Sequence, residues 1–381
     1  MAERSEFELD CREACKRLEA WYSREKRDLP WRFRTVGNGG GRKKRGYYAL
    51  VAEAMLQQTQ VSRVVERFGV FVERFPSVEA LAGADEQEVL ALWQGLGYYR
   101  RARSLHGAAK VVVHDFGGRV PSCVDELLRL PGVGRYTAGA IASIAFGERV
   151  PLVDGNVKRV IARLFAFEGA MDERAGEGVI WGAAGELVEA CDEPGEINQG
   201  LMELGSLVCL PGGAAAAKCG ECPLADLCEA RKRGLVGLVP RPKKAAVQRD
   251  LFAASVVVCN LRGEWLLVQR PGRGLWASMW EVPTVEYEKR IQRGRVVRFV
   301  RDVVGLEVMD EDGLTRVETF VHQTSHRRVH FGVWVLDDIR GRKRIGEWVG
   351  AKTIDEYPIS NAQRKVMRCV ADGMSINGRS K

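Results

Sequence analysis

Four of the ten cysteines, Cys209, Cys219, Cys222 and Cys228, crowd into one stretch with the spacing C-x9-C-x2-C-x5-C, whereas Cys11, Cys15, Cys123, Cys191, Cys259 and Cys369 are scattered. Four thiolates converging in a short loop form the ligand set of an iron–sulfur cubane or of a structural zinc ion. The scattered cysteines do not make the disulfide framework of a small secreted chain. Two carboxylates stand out for a different reason. Glu53 is embedded in the apolar helical run YALVAEAMLQQTQ. Desolvation there raises a carboxyl pKa and suits it to general-acid work near neutral pH, although an exposed helix glutamate would leave a similar local pattern. Asp154, in VPLVDGNVKR, stands directly before a helix and reads equally as an N-cap. A protonated acid and a second carboxylate facing one bond are the working pair of glycosidic hydrolysis. A third feature is LPGVG, which sets Gly132 and Gly134 between an apolar helix at 124–130 and another at 137–146. Such a hairpin can offer backbone N–H groups to a phosphate at the start of the second helix; an ordinary turn between helices reads the same way.

The elements that must position these groups divide the chain. At 381 residues and 46% hydrophobic composition the protein has core enough for two or three domains. Apolar residues recur at three and four spacing from Cys11 to Arg233, as in Val160, Ile161, Leu164 and Phe165, which predicts an all-α half. The basic, proline-containing stretch from Arg231 to Asp250 predicts a linker, with residues 235–250 as its span. Beyond it, β-rich runs at Ala253–Cys259, Trp265–Gln269 and Phe331–Leu336 predict an α+β domain. The glycine- and arginine-rich segment 37–46 predicts a mobile loop, with phosphate contact the minority reading. The start of the chain lacks an apolar signal core, and no run of 18 uncharged apolar residues occurs, so a cytoplasmic location with no membrane association is expected. A net charge of +8 favours a polyanionic partner.

LPGVG, VDGNVKR, MLQQTQV and the four-cysteine loop together resemble the helix-hairpin-helix DNA glycosylases with an iron–sulfur cluster, and within them the adenine DNA glycosylases of the MutY family. LPWR at 29–32, LWQGLGYY at 92–99, NQGLMELG at 198–205 and PISNAQRK at 358–365 extend the resemblance along nearly the whole chain. It implies a multidomain protein: an all-α helix-hairpin-helix glycosylase domain (1–234) carrying a [4Fe–4S] cluster on the four cysteines, then the linker, then a Nudix-like recognition domain (251–381). The implied activity is excision of adenine mispaired with 8-oxoguanine or guanine in double-stranded DNA by a monomeric bacterial enzyme at the nucleoid. Carried over by motif, Glu53 protonates adenine at N7 and Asp154 stabilises or captures the sugar cation, assisted by Tyr136 and Asn156. Trp31, Arg32, Leu56 and Gln199 line the adenine pocket. Gln58 and Tyr98 wedge into the duplex as the base leaves the stack. Thr59, Leu96, Ser325 and His326 read 8-oxoguanine, and Gly132, Gly134 and Lys158 hold DNA phosphate.

Tyr136 stands where the endonuclease III type places a Schiff-base lysine, so the resemblance implies a monofunctional enzyme that leaves an abasic site. Three departures are visible. In the Nudix-like segment 298–306 the positions of the metal-binding glutamates hold Phe299, Asp302 and Val303, which argues against magnesium-dependent hydrolysis. Thr324 replaces the usual phenylalanine before Ser325 and His326. The first gap of the cysteine loop, Leu210–Lys218, is longer than the family's, which leaves the place of Lys218 relative to a phosphate open. Two rival readings remain: a nucleotide hydrolase fused to a DNA-binding module, against which Phe299 and Val303 argue, and a non-catalytic damage sensor, against which Glu53 and Asp154 argue.

Overall fold

Runs of apolar residues at three and four spacing turn one stripe of each helix inward, and these stripes build the helical half. The computed structural model describes residues 9–32, 41–171, 173–241, 248–308, 313–324, 326–336 and 339–376. In chain order the helices are α1 (Cys11–Glu25), α2 (Arg42–Leu56), α3 (Val61–Arg74), α4 (Val78–Ala82), α5 (Glu86–Leu92), α6 (Arg100–Phe116), α7 (Val124–Leu127), α8 (Arg135–Ala140), α9 (Gly155–Leu164), α10 (Arg174–Glu189), α11 (Pro194–Leu207) and α12 (Glu229–Lys232). A π turn, Ile141–Ala145, continues α8. In α9 the buried Val157, Val160, Ile161 and Leu164 follow the helical period and join Leu18, Leu201 and Leu204 in one core.

Two compact units result, one made of residues 1–83 and 104–244, the other of 84–103 and 245–381. The second unit therefore takes in a piece of the helical half, α5 and the loop after it. Within this unit the Gln94 amide donates to the Tyr357 carbonyl (2.7 Å), Arg364 donates to Gln94 Oε1 (2.7 Å), and Trp280 Nε1 donates to Gln87 Oε1 (3.1 Å).

The sheets of the second unit come from β1 (Arg249–Val258), β2 (Trp265–Gln269), β3 (Trp280–Glu281), β4 (Thr284–Tyr287), β5 (Leu306–Glu307), β6 (Leu314–Gln323), β7 (Arg327–Leu336), β8 (Arg340–Gly341) and β9 (Glu347–Val349), with helices α13 (Arg293–Phe299) and α14 (Asn361–Ile376). The main sheet has the order β4-β1-β7-β6, with β1 and β7 parallel and the other pairs antiparallel. Successive strand residues alternate between faces. Val329, Phe331 and Val333 pack with Val366 and Val370 of α14, whereas Val256, Trp334 and Leu336 pack with Val296 of α13 and with Val300.

Two sequence expectations need correction. Arg42–Gly46 is not loop but the first turns of α2. Gly46 is buried so tightly that a Cβ there would meet Phe146 Cζ at 2.6 Å, and Arg42 lies over the Phe146 ring; residues 37–40 lie outside the described ones. The proposed linker is not free at its start either: Val236 and Val239 are buried in the helical half, and Arg163 Nε donates to the Val239 carbonyl at 2.9 Å. Hydrophobic burial there outweighs the prolines and charges that suggested a linker.

Candidate active site and cysteine loop

Helix α2 delivers Glu53 to a cavity of about 230 Å³, far above the roughly 10–15 Å³ that one water needs. The cavity brings together Trp31, Arg32, Glu53, Leu56, Thr59 and Tyr136, and with them Asp154, Asn156 and Gln199. Burial pushes the Glu53 carboxyl up to about 7; the Tyr136 hydroxyl partly offsets this and the Asp154 charge adds to it. Among the described residues Glu53 Oε2 is buried without a hydrogen-bond partner. Tyr136 is raised well above 10, by burial first and then by the two carboxylates, and keeps its phenolic proton.

Asp154 caps α9: Oδ1 accepts the Val157 N–H at 2.7 Å, and Oδ2 accepts from Asn156 Nδ2 at 3.0 Å. Burial raises its pKa, and these two bonds work against the rise. The cap is thus also a polarised carboxylate at a cavity wall. Asn156 is held in turn by Arg159, whose Nη2 donates to Asn156 Oδ1 (2.9 Å) and the Gly205 carbonyl (2.6 Å) while Nε donates to the Cys209 carbonyl (2.7 Å). Helix α11 approaches so closely that a Cβ on Gly205 would lie 2.6 Å from Asn156 Cβ. The buried Asn198, also on α11, straps the run before Asp154 by donating to the Val150 carbonyl (2.9 Å) and accepting from the Leu152 N–H (3.3 Å).

Sequence reasoning missed Glu203. It is fully buried, accepts from Arg27 Nε (2.6 Å) and Nη2 (2.9 Å), and accepts from Arg32 Nη2 (2.9 Å). Burial alone would raise its pKa, but the Arg27 and Arg32 bonds overcome that and hold it at about 2. The fork fixes Arg32 at the cavity wall. Its signal, an acid inside the apolar face of NQGLMELG, was present in the sequence but had no local partner to reveal its role.

Other predicted residues lie elsewhere. Gln58 (φ 56°) and Tyr98 (φ 48°) are non-glycine residues in the left-handed region, and Tyr98 is 48% exposed. Such backbone costs about 1–3 kcal/mol and collects at functional positions. Leu96 is buried, only 4% exposed. Thr59 lies on the wall of the Glu53 cavity. Gly132 has φ +79°, and a Cβ there would meet Ser104 Cβ at 2.5 Å, so the hairpin between α7 and α8 requires glycine. Gly134 is the N-cap of α8, and Lys158 Nζ donates to the Met171 carbonyl at 3.4 Å. Ser325 lies outside the described residues; His326 is exposed. The Thr324 hydroxyl donates to the Arg327 carbonyl (3.0 Å) and accepts its N–H (3.1 Å), beside the backbone bond from the Thr324 N–H to the same carbonyl (2.9 Å).

Cys209, Cys219, Cys222 and Cys228 line one apolar cavity walled by Val160, Leu164, Leu204 and Leu224. Burial, with added repulsion from the other three sulfurs, pushes the Cys222 thiol up to about 12, so the four sulfurs are near enough to feel one another. Arg163 Nη1 donates to Cys209 Sγ at 3.3 Å. This donor set fits a sulfur-ligated centre whose positive charge would hold the thiolates deprotonated. Among the described residues, no three of His, Cys, Asp or Glu are close enough to hold a single metal ion. In the Nudix-like unit Asp302 is exposed and paired with Arg301 (2.8 Å), and Val303 is 46% exposed.

Fold and site define a base-excision glycosylase joined to a Nudix-like domain. Residues 51–178 match the HhH-GPD superfamily of base excision DNA repair proteins, and residues 254–369 match a NUDIX domain. The chain is 34% identical to the human adenine DNA glycosylase over 92% of its own length and 72% of that protein, and 42% identical to the Mycolicibacterium smegmatis adenine DNA glycosylase over 59% of its own length and 72% of that one. A thermostable thymine-DNA glycosylase structure superposes with TM-score 0.51 and 28% identity, covering 58% of this chain and 97% of that one. The chain belongs to the adenine DNA glycosylase family. Among the described residues, no helix is long and apolar enough to cross a membrane.

Proposed function

We propose that this adenine DNA glycosylase acts, as a monomer on chromosomal DNA in the cytoplasm, on adenine paired with 8-oxoguanine or guanine, and leaves an intact strand with an abasic site. The observation that carries the reading is the pairing in one cavity of a carboxyl kept protonated near pH 7, with a bare oxygen, and a second carboxylate already polarised by a helix N-terminus. With adenine flipped into the cavity, Glu53 donates its proton to N7, and the C1′–N9 bond breaks with its electron pair leaving on adenine. Asp154 stabilises the sugar cation or captures it as an ester, water adds at C1′, and the water proton returns to a carboxylate. Tyr136 and Asn156 orient the pair, while Arg32, fixed by Glu203, and Gln199 bound the base. Tyr136 offers no amine, so no Schiff base forms.

Cys209, Cys219, Cys222 and Cys228 would hold a [4Fe–4S] cluster. When bound, it supplies a rigid anchor for the loop whose Cys209 carbonyl receives Arg159.

Incubation with duplexes carrying adenine opposite 8-oxoguanine, guanine or thymine tests the reading. Expected are release opposite the first two, strand breaks only after alkali, and no borohydride-trapped adduct. Equal release opposite thymine, or efficient trapping, would overturn it.

A further inference from the structure

Between α5 and α6 the chain turns through backbone held in the left-handed region at Gly95 (φ 90°), Gly97 (φ 70°) and Tyr98 (φ 48°). Glycine adopts such backbone freely; tyrosine does not. A glycine at position 98 would relieve the strain, so a tyrosine kept there with its ring exposed marks a side chain that has to be presented.

Arg101, in the first turn of α6, holds this turn in place. Its side chain is buried, and Nη2 donates to the carbonyls of Leu96 (2.9 Å) and Gly97 (3.0 Å), while Trp93 Nε1 donates to the same Gly97 oxygen (3.1 Å). The Gly97 oxygen and the Tyr98 nitrogen belong to one rigid peptide plane. Fixing that oxygen therefore fixes the plane from which the φ of Tyr98 is set. On the far side of Tyr98, its own carbonyl accepts the Arg101 N–H at 2.8 Å. One residue thus secures both peptide planes that flank Tyr98. The guanidinium also lies 5.5 Å from the centre of the Tyr98 ring and 5.5 Å from that of the buried Trp93. A planar cation can fork its hydrogen bonds and support a ring at once, which neither an ammonium nor a neutral amide reproduces. Burial pulls the guanidinium down to about 10, so it still carries its charge at neutral pH. Burying a cation is costly, and neutral donors could satisfy two carbonyls in a turn that served the fold alone.

We propose that Arg101 is the positioning residue for Tyr98, fixing both the backbone and the ring so that the side chain meets the duplex already ordered. The proposal rests on the reading of Tyr98 as the side chain that wedges into the duplex. Preordering removes the entropy that a free ring would lose on entering the stack. Arg101 then acts on the rate of opening and leaves the carboxylate pair untouched.

Stopped-flow fluorescence of 2-aminopurine placed beside the target adenine, read with the full chain, tests this in a double-mutant cycle. Tyr98→Ala and Arg101→Met should each slow opening at least ~10-fold, and the double variant should be no slower than Tyr98→Ala alone. Arg101→Lys should recover part of the loss, since it keeps the cation without the fork. The pH profile of adenine release should stay that of the parent in every variant. Parent-like opening in Arg101→Met beside slow opening in Tyr98→Ala would overturn the proposal and leave the wedge reading standing. Additive losses would overturn it too, giving Arg101 a general role in the fold. Parent-like opening in Tyr98→Ala would remove the wedge reading and the proposal with it. Should Arg101→Met fail to fold, Arg101→Lys alone and with Tyr98→Ala completes the same cycle.

Discussion

Glu53 and Glu203 are the same side chain on the wall of one cavity, driven in opposite directions. Burial with no strong cationic partner lifts Glu53 to about 7; two arginines hold Glu203 at about 2. Each displacement from 4.5 is worth on the order of 3 kcal/mol. For Glu53 the folded protein binds the proton more tightly than the unfolded chain, so stability is highest below pH 4.5 and falls as pH rises to about 7. Glu53→Gln removes that loss: urea unfolding should show the variant more stable than the parent at pH 8 and close to it at pH 4, while adenine release drops by about 10²–10⁴-fold with duplex binding retained. The parent's single-turnover rate should decline as pH rises through about 7. A pH-independent stability difference together with a near-normal rate would leave Glu53 a structural residue. For Glu203 the sign reverses: its contribution is present above pH 4.5 and is lost as pH falls through about 2. Glu203→Ala should therefore cost roughly 1–3 kcal/mol at pH 7, read from the urea midpoint, because the partly buried Arg27 and Arg32 lose the carboxylate they share. Glu53 was legible in the sequence because its apolar neighbours lie within a helical turn. Glu203 was not, because Arg27 and Arg32 come from a loop more than 170 residues away.

Helices α9 and α11 meet where no side chain intervenes, and the site depends on that contact. Gly205→Ala would press on Asn156, whose amide orients Asp154. Single-turnover release should fall at least ~10-fold while the circular dichroism spectrum and duplex affinity stay unchanged, a split expected of small misplacement at a catalytic group; a wild-type rate would show that α11 yields instead. The cysteine loop is tied to the same contact through Arg159 and Arg163. The purified protein should be brown with visible charge-transfer absorption, and removal of iron should lower adenine release through the loop even where the carboxylates are intact. A colourless protein holding one zinc would refute the cluster. At this scale the sequence told helices from strands by period, and placed the caps and the hairpin by residue type. It misread Arg42–Gly46 because glycines and charges mimic a loop, while the decisive contact, Gly46 against Phe146, is a hundred residues distant.

Across the whole molecule, the grouping of 84–103 with the C-terminal residues changes what truncation should do. Gln87, Gln94 and Arg103 bond to Ser278, Tyr357 and Gly272, and the same segment bears Tyr98. Removing residues 245–381 should therefore slow base flipping, followed by 2-aminopurine fluorescence, as well as weaken discrimination for 8-oxoguanine. Loss of discrimination with unaltered flipping would show that the segment holds its shape unaided. This grouping could not be read from spacing, since each bond joins positions far apart in the chain.

The discontinuity also sets an order of events during synthesis. Residues 84–103 leave the ribosome long before Ser278 and Tyr357, whose carbonyls receive Gln87 and Gln94, so these polar groups stay in water until the last third of the chain arrives. A nascent or prematurely terminated chain then holds its adenine cavity while the segment that bears Tyr98 still lacks its partners, which arrive only with the finished polypeptide.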